Sequence, residues 1–324
     1  MAAISPDDLR IDTKKEIERC TQALREQLKR RLRRWGVVVG LSGGIDSSTV
    51  AALCVHALGK DRVLGLHMHE QESSDETRQL SKLIADHLQI ATVDENLTPM
   101  LESLGCYRRR DDAIRSVVPE YRSDWKNKIV LPSVVDTDML RLFSVIVEKP
   151  SGEQIKARLT NEAYLGIVAA TNFKQRVRKM LEYYHADRLN YAVAGTPNLL
   201  EYDQGFFVKN GDGAADLKPI AHLYKSQVYQ LAEALGVPAE IRQRPPTTDT
   251  YTLSQSQDEF YFSLPYDQMD LCLYAYNQKV PSADVGRALG LRPEQVERVY
   301  RDIEAKRRFA EYLHMPPLSL VSPD

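Results

Sequence analysis

The sequence predicts an α/β fold, a doubly wound, Rossmann-like parallel sheet with helices on both faces. Three observations support this prediction. Short apolar runs with strand character alternate with segments of helical periodicity in the first third of the chain, as in a parallel sheet with crossover helices. The first run, at 35–39, leads directly into a loop rich in glycine and serine, and ligands of such sheets bind beyond the carboxyl ends of the strands. With 43% hydrophobic residues among 324, the chain can also bury a core of this size.

The first element is predicted to be an amphipathic helix at 12–34, because Ile17, Cys20, Leu24 and Leu28 recur at helical spacing. Strands are then expected at 35–39, 62–68 and 90–93, with helices at 49–58 and 75–88 between them. The second strand ends in two histidines, His67 and His69, at strand spacing. No third ligand follows nearby in the sequence, so we expect ordinary packing there and no metal.

The loop at 40–48 has the residue types of a phosphate-binding site. Gly43 and Gly44 allow a tight turn that brings backbone N–H groups against phosphate oxygens. Serines at the start of the following helix can donate hydrogen bonds, and the helix dipole favours an anion there. The single acid, Asp46, is better explained as a ligand of the magnesium that accompanies a nucleoside triphosphate. A glycine turn with ordinary helix-capping serines is the alternative for an isolated glycine pair, but seven consecutive residues of one pattern favour the phosphate site.

Residues 98–171 are harder to interpret, and we expect them to be an insertion. The charge run Arg108 to Asp112 is typical of a solvated face. Two strand-like segments, 140–148 and 154–159, flank Lys149-Pro150-Ser151-Gly152 and predict a β-hairpin.

A helix predicted at 163–186 carries basic side chains in its middle. Positions spaced by two do not share a helix face, so Lys174 and Arg178 should point one way and Arg176 another. A strand at 191–195 and a glycine-rich loop at 205–216 follow. The loop holds a lysine and two spaced aspartates, which is too polar and too rich in turn residues for a core element, so we expect it to bind a ligand.

Two of these motifs resemble known families. Ser42 to Ser48 resembles the pyrophosphate-binding SGGxDSS loop of the ATP pyrophosphatases, which adenylylate a substrate and release pyrophosphate. Together with the segments 172–178 and 205–216, the chain resembles the NAD synthetase family from about residue 15 onwards. The resemblance also includes shorter matches at Lys225, Pro246-Thr247 and Asp258-Glu259. It implies one synthetase domain over 1–324, an insertion at about 98–171 outside the pattern and a helical C-terminal segment at about 266–315.

The resemblance also implies a reaction. In NAD synthetases the nicotinate carboxylate of deamido-NAD attacks the α-phosphorus of ATP, and ammonia converts the resulting acyl adenylate to the amide of NAD, with release of AMP and pyrophosphate. By analogy Asp46 and Glu201 would bind Mg²⁺. The residues implied to bind ATP are Gly40, Ser42, Gly43, Gly44, Ile45, Asp46, Ser47, Ser48, Arg176, Thr196 and Lys225.

On the other side of the reaction, Lys209 would lie on the reacting phosphate, where a fixed positive charge stabilises the transition state. Asp212 and Asp216 match residues near deamido-NAD and ammonia, and Asn172 is implied to contact the same substrate. Thr247 matches a hydroxyl on a loop that closes over the phosphates, which makes Lys209, Asp212 and Thr247 the implied catalytic residues.

The chain departs from the family pattern beside the magnesium acid and at 257–263. Leu199 and Leu200 replace a lysine and a serine that usually precede the acid, although Glu201 itself is retained. These departures and the insertion affect the substrate side, where family members build a dimer interface. The alternative function is therefore an amide ligase of the same type that acts on another carboxylate.

Other implied partners are ammonia, free or delivered by a separate glutaminase, and a second copy of the chain in a homodimer. The sequence contains no N-terminal cysteine nucleophile and no room for a nitrilase-type module before the first helix, which argues against a built-in glutaminase. The net charge of −2 gives no general attraction to nucleic acid. Residues 282–299 have the rhythm of a helix-turn-helix, which leaves a DNA-binding regulator as a remote alternative.

Four cysteines lie far apart without a Cys-x-x-Cys pair, so the sequence predicts reduced thiols and implies neither a zinc site nor a disulfide framework. No apolar run is long enough to span a bilayer, and residues 1–14 have no signal-peptide core. We therefore expect a cytoplasmic enzyme without a membrane partner.

Overall fold

The computed structural model describes residues 4–131, 142–245, 251–253, 261–262 and 264–320. Its main sheet has four parallel strands in the order β3-β2-β1-β7, as predicted for a doubly wound fold. These strands are β1 (Val37–Gly40), β2 (Val63–His69), β3 (Ala91–Asn96) and β7 (Ala192–Val193). The register pairs Val37 of β1 with Val63 of β2 on one side and with Ala192 of β7 on the other.

Three helices cover the start of this sheet: α1 (Thr13–Glu26), α2 (Ile45–Leu58) and α3 (Asp75–Leu88). The Asp12 carboxylate caps α1 by accepting from the Lys15 N–H, and the helix continues as a π-helical turn over Gln27–Leu32. The predicted helix at 12–34 is thereby confirmed. Helix α2 carries apolar residues on all sides because it is buried between the sheet, α1 and later helices.

A second, antiparallel sheet lies in the region predicted to be an insertion. It contains β4 (Lys126–Val130), β5 (Ser144–Glu148) and β6 (Gln154–Arg158), in that order. Strands β5 and β6 form the predicted hairpin, in which the Lys149 N–H donates to the Glu153 carbonyl. Helices α4 (Thr98–Ser103) and α5 (Cys106–Arg115) precede this sheet. Apolar residues of α5, the sheet and the long helix α6 (Asn161–Leu189) form a core of their own.

The remaining helices all follow β7, and the last three of them form the predicted helical C-terminal segment. They are α7 (Leu199–Gln204), α8 (Lys225–Ala234), α9 (Ala239–Gln243), α10 (Tyr266–Asn277), α11 (Ser282–Leu289) and α12 (Pro293–His314). Gly290, at φ +70°, ends α11 in the left-handed conformation. Val296, Val299 and Ile303 on α12 pack into a core shared with α10. No helix in the described ranges is long and apolar enough to cross a membrane.

Candidate active site

An open cleft of about 1180 Å³ lies at the carboxyl ends of the parallel strands. Its walls come from the β1–α2 loop, the end of β2, the middle of α6, the segment 194–212 and the last turns of α12. This position is the one predicted for ligands of a doubly wound sheet.

The β1–α2 loop has the geometry of an anion site. Gly43 adopts φ +70°, and an added Cβ would approach the Leu80 side chain of α3 to 2.8 Å, so glycine is required by both conformation and space. The Ser42 and Ser47 hydroxyls are 3.0 Å apart, and the Ser42 hydroxyl also accepts from the Gly44 N–H. Helix α2 begins at Ile45, so its N-terminal N–H groups and positive dipole end lie at the cleft.

Two carboxylates and a lysine meet beside this loop. The Asp46 carboxylate accepts from the Asn198 side-chain amide at 3.0 Å through one oxygen and contacts the Lys225 ammonium through the other. Glu201 caps α7 by accepting from the Asn198 N–H at 3.2 Å. Burial and the charge of Asp46 raise the pKa of Glu201 to about 8. An additional positive charge would therefore be favourable between these acids.

The donor set suits a magnesium-type cation. Carboxylate oxygens are the ligands that hard divalent cations prefer, and such a cation would stabilise the ionised form of Glu201 beside Asp46. Asp46 and Glu201 are the residues that could hold it.

Lys225 is the buried cation of this cluster, with 2% of its surface exposed. Burial opposes its charge, but the carboxylates of Asp46 and Glu201 outweigh burial and raise its pKa. Asp270 of α10 fixes the start of α8 by accepting the backbone N–H groups of Lys225 and Ser226 at 3.2 and 2.6 Å. The C-terminal helices thus position a cation at the β1–α2 loop.

Most of the predicted site residues line the cleft: Gly40, Ser42, Gly44, Ile45, Asp46, Ser47, Asn172, Arg176, Thr196, Glu201, Lys209, Asp212 and Lys225. Gly43, Ser48 and Asp216 do not. The Ser48 side chain is fully buried inside α2, and its hydroxyl has no hydrogen-bond partner. Asp216 accepts the Val193 N–H at 2.8 Å and so supports β7. Thr247 lies outside the described residues.

Lys209 lines the cleft, but its ammonium group contacts the end of α12. Its Nζ donates to the Tyr312 carbonyl at 2.7 Å and to the Met315 carbonyl at 3.0 Å, and it lies 4.2 Å from the centre of the Tyr312 ring. These contacts differ from the expectation that Lys209 faces a phosphate at the ATP loop. Arg176, on the neighbouring stretch of α6, donates to the Lys209 carbonyl at 3.3 Å.

Asp212 is a partly buried carboxylate in the same segment. It accepts the Val208 N–H at 2.8 Å, which closes the glycine-rich turn, and burial raises its pKa. It is the one aspartate of this loop that both supports the backbone and reaches the cleft.

Two parts of the cleft were not predicted. Lys179 and Glu182 form a buried ion pair at 2.5 Å where α6 crosses β1, and an added Cβ on Gly40 would lie 2.9 Å from Glu182. Their three-residue helical spacing was the available signal. The second part is α12, which contributes Asp302, Lys306, Phe309 and Tyr312 to the wall. Since α12 is packed into the C-terminal core and faces the cleft, it is not a free recognition helix for DNA.

The charge run at 108–112 is solvated only in part, which corrects the prediction: Arg108, Arg109 and Asp112 are exposed. Arg110 and Asp111 are buried, and Arg110 bonds to Asp111 at 2.9 Å and to Glu72 at 2.5 Å. Lys174 of α6 lies between Glu70 and Glu72, at 2.9 and 2.5 Å. These charges lock α5 and α6 to the segment that follows β2. The run contains both exposed and buried arginines because one side of α5 packs on α6.

The predicted directions of the basic residues on α6 are confirmed. Lys174 and Arg178 both point to the end of β2, where the Arg178 side chain donates to the Met68 carbonyl at 3.4 Å. Arg176 points instead to the 205–216 loop. His67, as expected for a packed residue, bonds to the Ser81 hydroxyl at 2.5 Å.

The family model described as NAD synthase matches residues 16–118 and 144–310. Within the matched region, the internal gap at 119–143 is shorter than the insertion predicted at 98–171. A protein of Mesorhizobium japonicum, called NH(3)-dependent NAD(+) synthetase, is 57% identical over 97% of this chain and 98% of its own. A protein of the same description from Rhizobium rhizogenes is 54% identical over 99% of this chain and 97% of its own.

Among solved structures, an NMN synthetase from Francisella tularensis resembles this chain with a TM-score of 0.65 at 20% identity. The alignment covers 96% of this chain and 99% of that one. At this identity the likeness concerns the fold. A fold that is shared with an enzyme of different name does not by itself identify the carboxylate substrate.

Proposed function

The chain belongs to the NAD synthase family, and we propose that its cleft forms NAD from deamido-NAD, ATP and ammonia, with release of AMP and pyrophosphate. The observation that carries the proposal is the 57% identity, over almost the whole chain, to a protein called NH(3)-dependent NAD(+) synthetase. The serine-glycine loop at the cleft supports it, because the loop offers backbone and hydroxyl donors to the pyrophosphate of ATP.

In the first step, a carboxylate oxygen of the substrate attacks the α-phosphorus of ATP and pyrophosphate leaves. Ser42, Gly44 and Ser47 hold the leaving pyrophosphate, while Thr196 and Arg176 contact the rest of the nucleotide. These donors are fixed before the substrate arrives by the turn at Gly43 and by the start of α2. Such preorganisation stabilises charge that develops on the phosphates.

Asp46 and Glu201 would hold Mg²⁺, which neutralises phosphate charge when it is bound. Lys225 holds the Asp46 carboxylate in place through a direct ion pair, and Asn198 joins the two acids by bonding to both. The raised pKa of Glu201 supports this assignment, because burial and the neighbouring charge of Asp46 disfavour its ionised form, which a divalent cation would stabilise.

In the second step, ammonia attacks the acyl carbon and AMP leaves. Asn172 and Asp212 line the cleft and are proposed to contact the second substrate. Lys209 can stabilise the reacting phosphate only after its ammonium leaves the carbonyls of Tyr312 and Met315. The role of Thr247 as a closing hydroxyl remains part of the proposal, whereas Asp216 is better explained as a support for β7.

The nitrogen donor is ammonia, free or supplied by a separate glutaminase, and the enzyme is proposed to act in the cytoplasm. A homodimer is supported by three large apolar side chains that are exposed on α6: Leu165 at 54%, Met180 at 58% and Tyr184 at 59%. Sedimentation analysis of the purified protein tests the homodimer.

The decisive assay supplies ATP, Mg²⁺, ammonium and deamido-NAD and measures NAD and AMP. Equal amounts of both products are expected. An enzyme that acts on a different carboxylate would give no NAD with deamido-NAD, and candidate acids that release pyrophosphate would then identify its substrate.

A further inference from the structure

Glu16, Cys20 and His222 place three different metal-ligating atoms together outside the cleft. Glu16 and Cys20 are four residues apart on α1 and share one face of the helix. His222 comes from the segment between Lys218 and α8. The Cys20 thiol is 3.2 Å from Glu16 Oε1 and 3.8 Å from His222 Nε2, and the last two atoms are 2.7 Å apart. None of the three residues lines the cleft.

We propose that Glu16, Cys20 and His222 form a binding site for a zinc-type divalent cation. Sulfur, imidazole nitrogen and carboxylate oxygen are the donors that zinc prefers, and ligand distances of about 2.0–2.3 Å around a tetrahedral ion separate the donor atoms by roughly 3.3–3.7 Å. The observed separations differ from that range by only a few tenths of an ångström for both contacts of the sulfur. The imidazole and the carboxylate must move apart by somewhat more.

Access and coordination number are compatible with this site. The His222 side chain is 41% exposed and that of Glu16 is 15% exposed, so an ion can enter from solvent. Three protein ligands leave the fourth position of a tetrahedral ion to water. This site contains a single cysteine and no Cys-x-x-Cys pair. Its third ligand, His222, is distant in sequence from the other two, so the spacing of the cysteines did not indicate it.

Without a cation, the same atoms form a hydrogen-bonded cluster centred on Glu16. Glu16 accepts from Arg19 at 3.0 and 2.7 Å and lies 2.7 Å from His222 Nε2. The Cys20 thiol donates its proton to Glu16 Oε1 at 3.2 Å. Metal binding therefore replaces this S–H with a sulfur–metal bond and releases the thiol proton to solvent.

Arg19 competes with the proposed cation for the Glu16 carboxylate. Its guanidinium donates to both oxygens of Glu16, at 3.0 and 2.7 Å. A bound cation would take over the Oε1 position and leave the contact of Arg19 Nε with Oε2. Removal of the guanidinium should therefore strengthen metal binding. If the cluster serves only to hold α1 to the neighbouring segment by hydrogen bonds, the same change would give no gain in affinity for metal.

A bound ion would tie α1 to the segment that leads into α8. His222 lies three residues before Lys225, whose ammonium contacts Asp46 in the cleft. The proposed site does not depend on the proposed function, since it is defined by α1 and His222 alone.

The test is a titration of the reduced, metal-free full-length protein with Co²⁺, followed by displacement with Zn²⁺. One Co²⁺ per chain should bind with a thiolate-to-cobalt charge-transfer absorption, and one proton should be released. Cys20→Ser should lose this absorption and bind at least tenfold more weakly, and Arg19→Ala should bind more tightly than the wild type. Cys106→Ser is the matched control, because its hydroxyl can still donate to the Ala170 carbonyl as the thiol does.

Circular dichroism and melting temperature of the metal-free variants check that they fold. The proposal is overturned if the folded wild type shows no charge-transfer absorption, or if Cys20→Ser retains it. NAD formation is not measured in this experiment, so its failure would leave the proposed function untouched.

Discussion

The two walls of the cleft differ in how their residues are brought together. The ATP wall is built from seven neighbouring residues at 42–48, and its conformation follows from one strand end, one glycine turn and one helix start. The opposite wall combines α6, the 205–212 segment and α12, which come from distant parts of the chain. On the first wall, local residue types determine the chemistry. On the second, tertiary packing determines which charges face the substrates.

The largest effect is expected for Asp46→Asn on the ATP wall. The change keeps the side-chain volume and one hydrogen bond to Asn198, but it removes the charge that pairs with Lys225 and would bind Mg²⁺. Pyrophosphate release should fall by on the order of 10³. Unchanged pyrophosphate release would show that the loop at 42–48 takes no part in the reaction.

Ser48→Ala is the matched control in the same turn of α2. Its hydroxyl is fully buried without a hydrogen-bond partner, so replacing it should leave both pyrophosphate release and stability almost unchanged. A large loss of activity in this variant would mean that the Ser48 hydroxyl binds ATP, as the motif resemblance implies, and not that it is merely buried, as in the structure.

The sequence predicted the conformation of the β1–α2 loop and the parallel sheet well, and the charges packed behind the opposite wall less well, for a physical reason. Turn glycines, capping serines and strand patterns are local signals, so the loop and the parallel sheet could be deduced from the chain itself. Arg110 and Arg108 are chemically alike and two residues apart, yet one is buried against Glu72 and the other is exposed. Only the packing of α5 on α6 distinguishes them, and this packing has no local signature.

Lys209→Met tests the opposite wall. If Lys209 moves from α12 to the reacting phosphate, kcat should fall by on the order of 10²–10³ while ATP binding changes little. If it serves only to join the 205–216 loop to α12, the melting temperature should fall and kcat should stay within a factor of about three, which is less than roughly 1 kcal/mol of barrier. Steady-state kinetics and melting curves of the same preparation separate these outcomes.

The buried charges behind that wall should matter for stability more than for chemistry. Arg110→Met removes the cation paired with Asp111 and one of the two paired with Glu72, and it should lower the free energy of unfolding by about 3–5 kcal/mol. Arg108→Met, at an exposed position of the same helix, should cost less than about 0.5 kcal/mol. Urea denaturation measures both, and equal costs would contradict the buried network.

A pH dependence of stability should arise from Glu201. Its pKa is about 8 in the folded protein and 4.5 in its ordinary state, so between these values the folded protein retains a proton that the unfolded chain has lost. Stability therefore falls as pH rises through this window, by at most about 1.4 kcal/mol per pH unit. Mg²⁺ bound to the ionised carboxylate should offset this loss, so its stabilising effect should grow with pH.

Chemical denaturation with and without Mg²⁺ at several pH values in that window measures this effect. Glu201→Gln is the control and should remove the dependence on pH. An equal gain from Mg²⁺ at both ends of the window, in the wild-type protein, would argue against Glu201 as a ligand.

The position of α12 in the cleft wall has a consequence for biosynthesis. The phosphate loop is translated early, whereas Phe309 and Tyr312, which face the same cleft, are among the last residues of the described chain to leave the ribosome. The parallel sheet can fold while translation continues, but the cleft stays open on one side until α12 arrives. A nascent chain can therefore contain the folded phosphate loop before the wall of the cleft is complete. Premature termination anywhere in α12 would yield a folded sheet that lacks part of this wall.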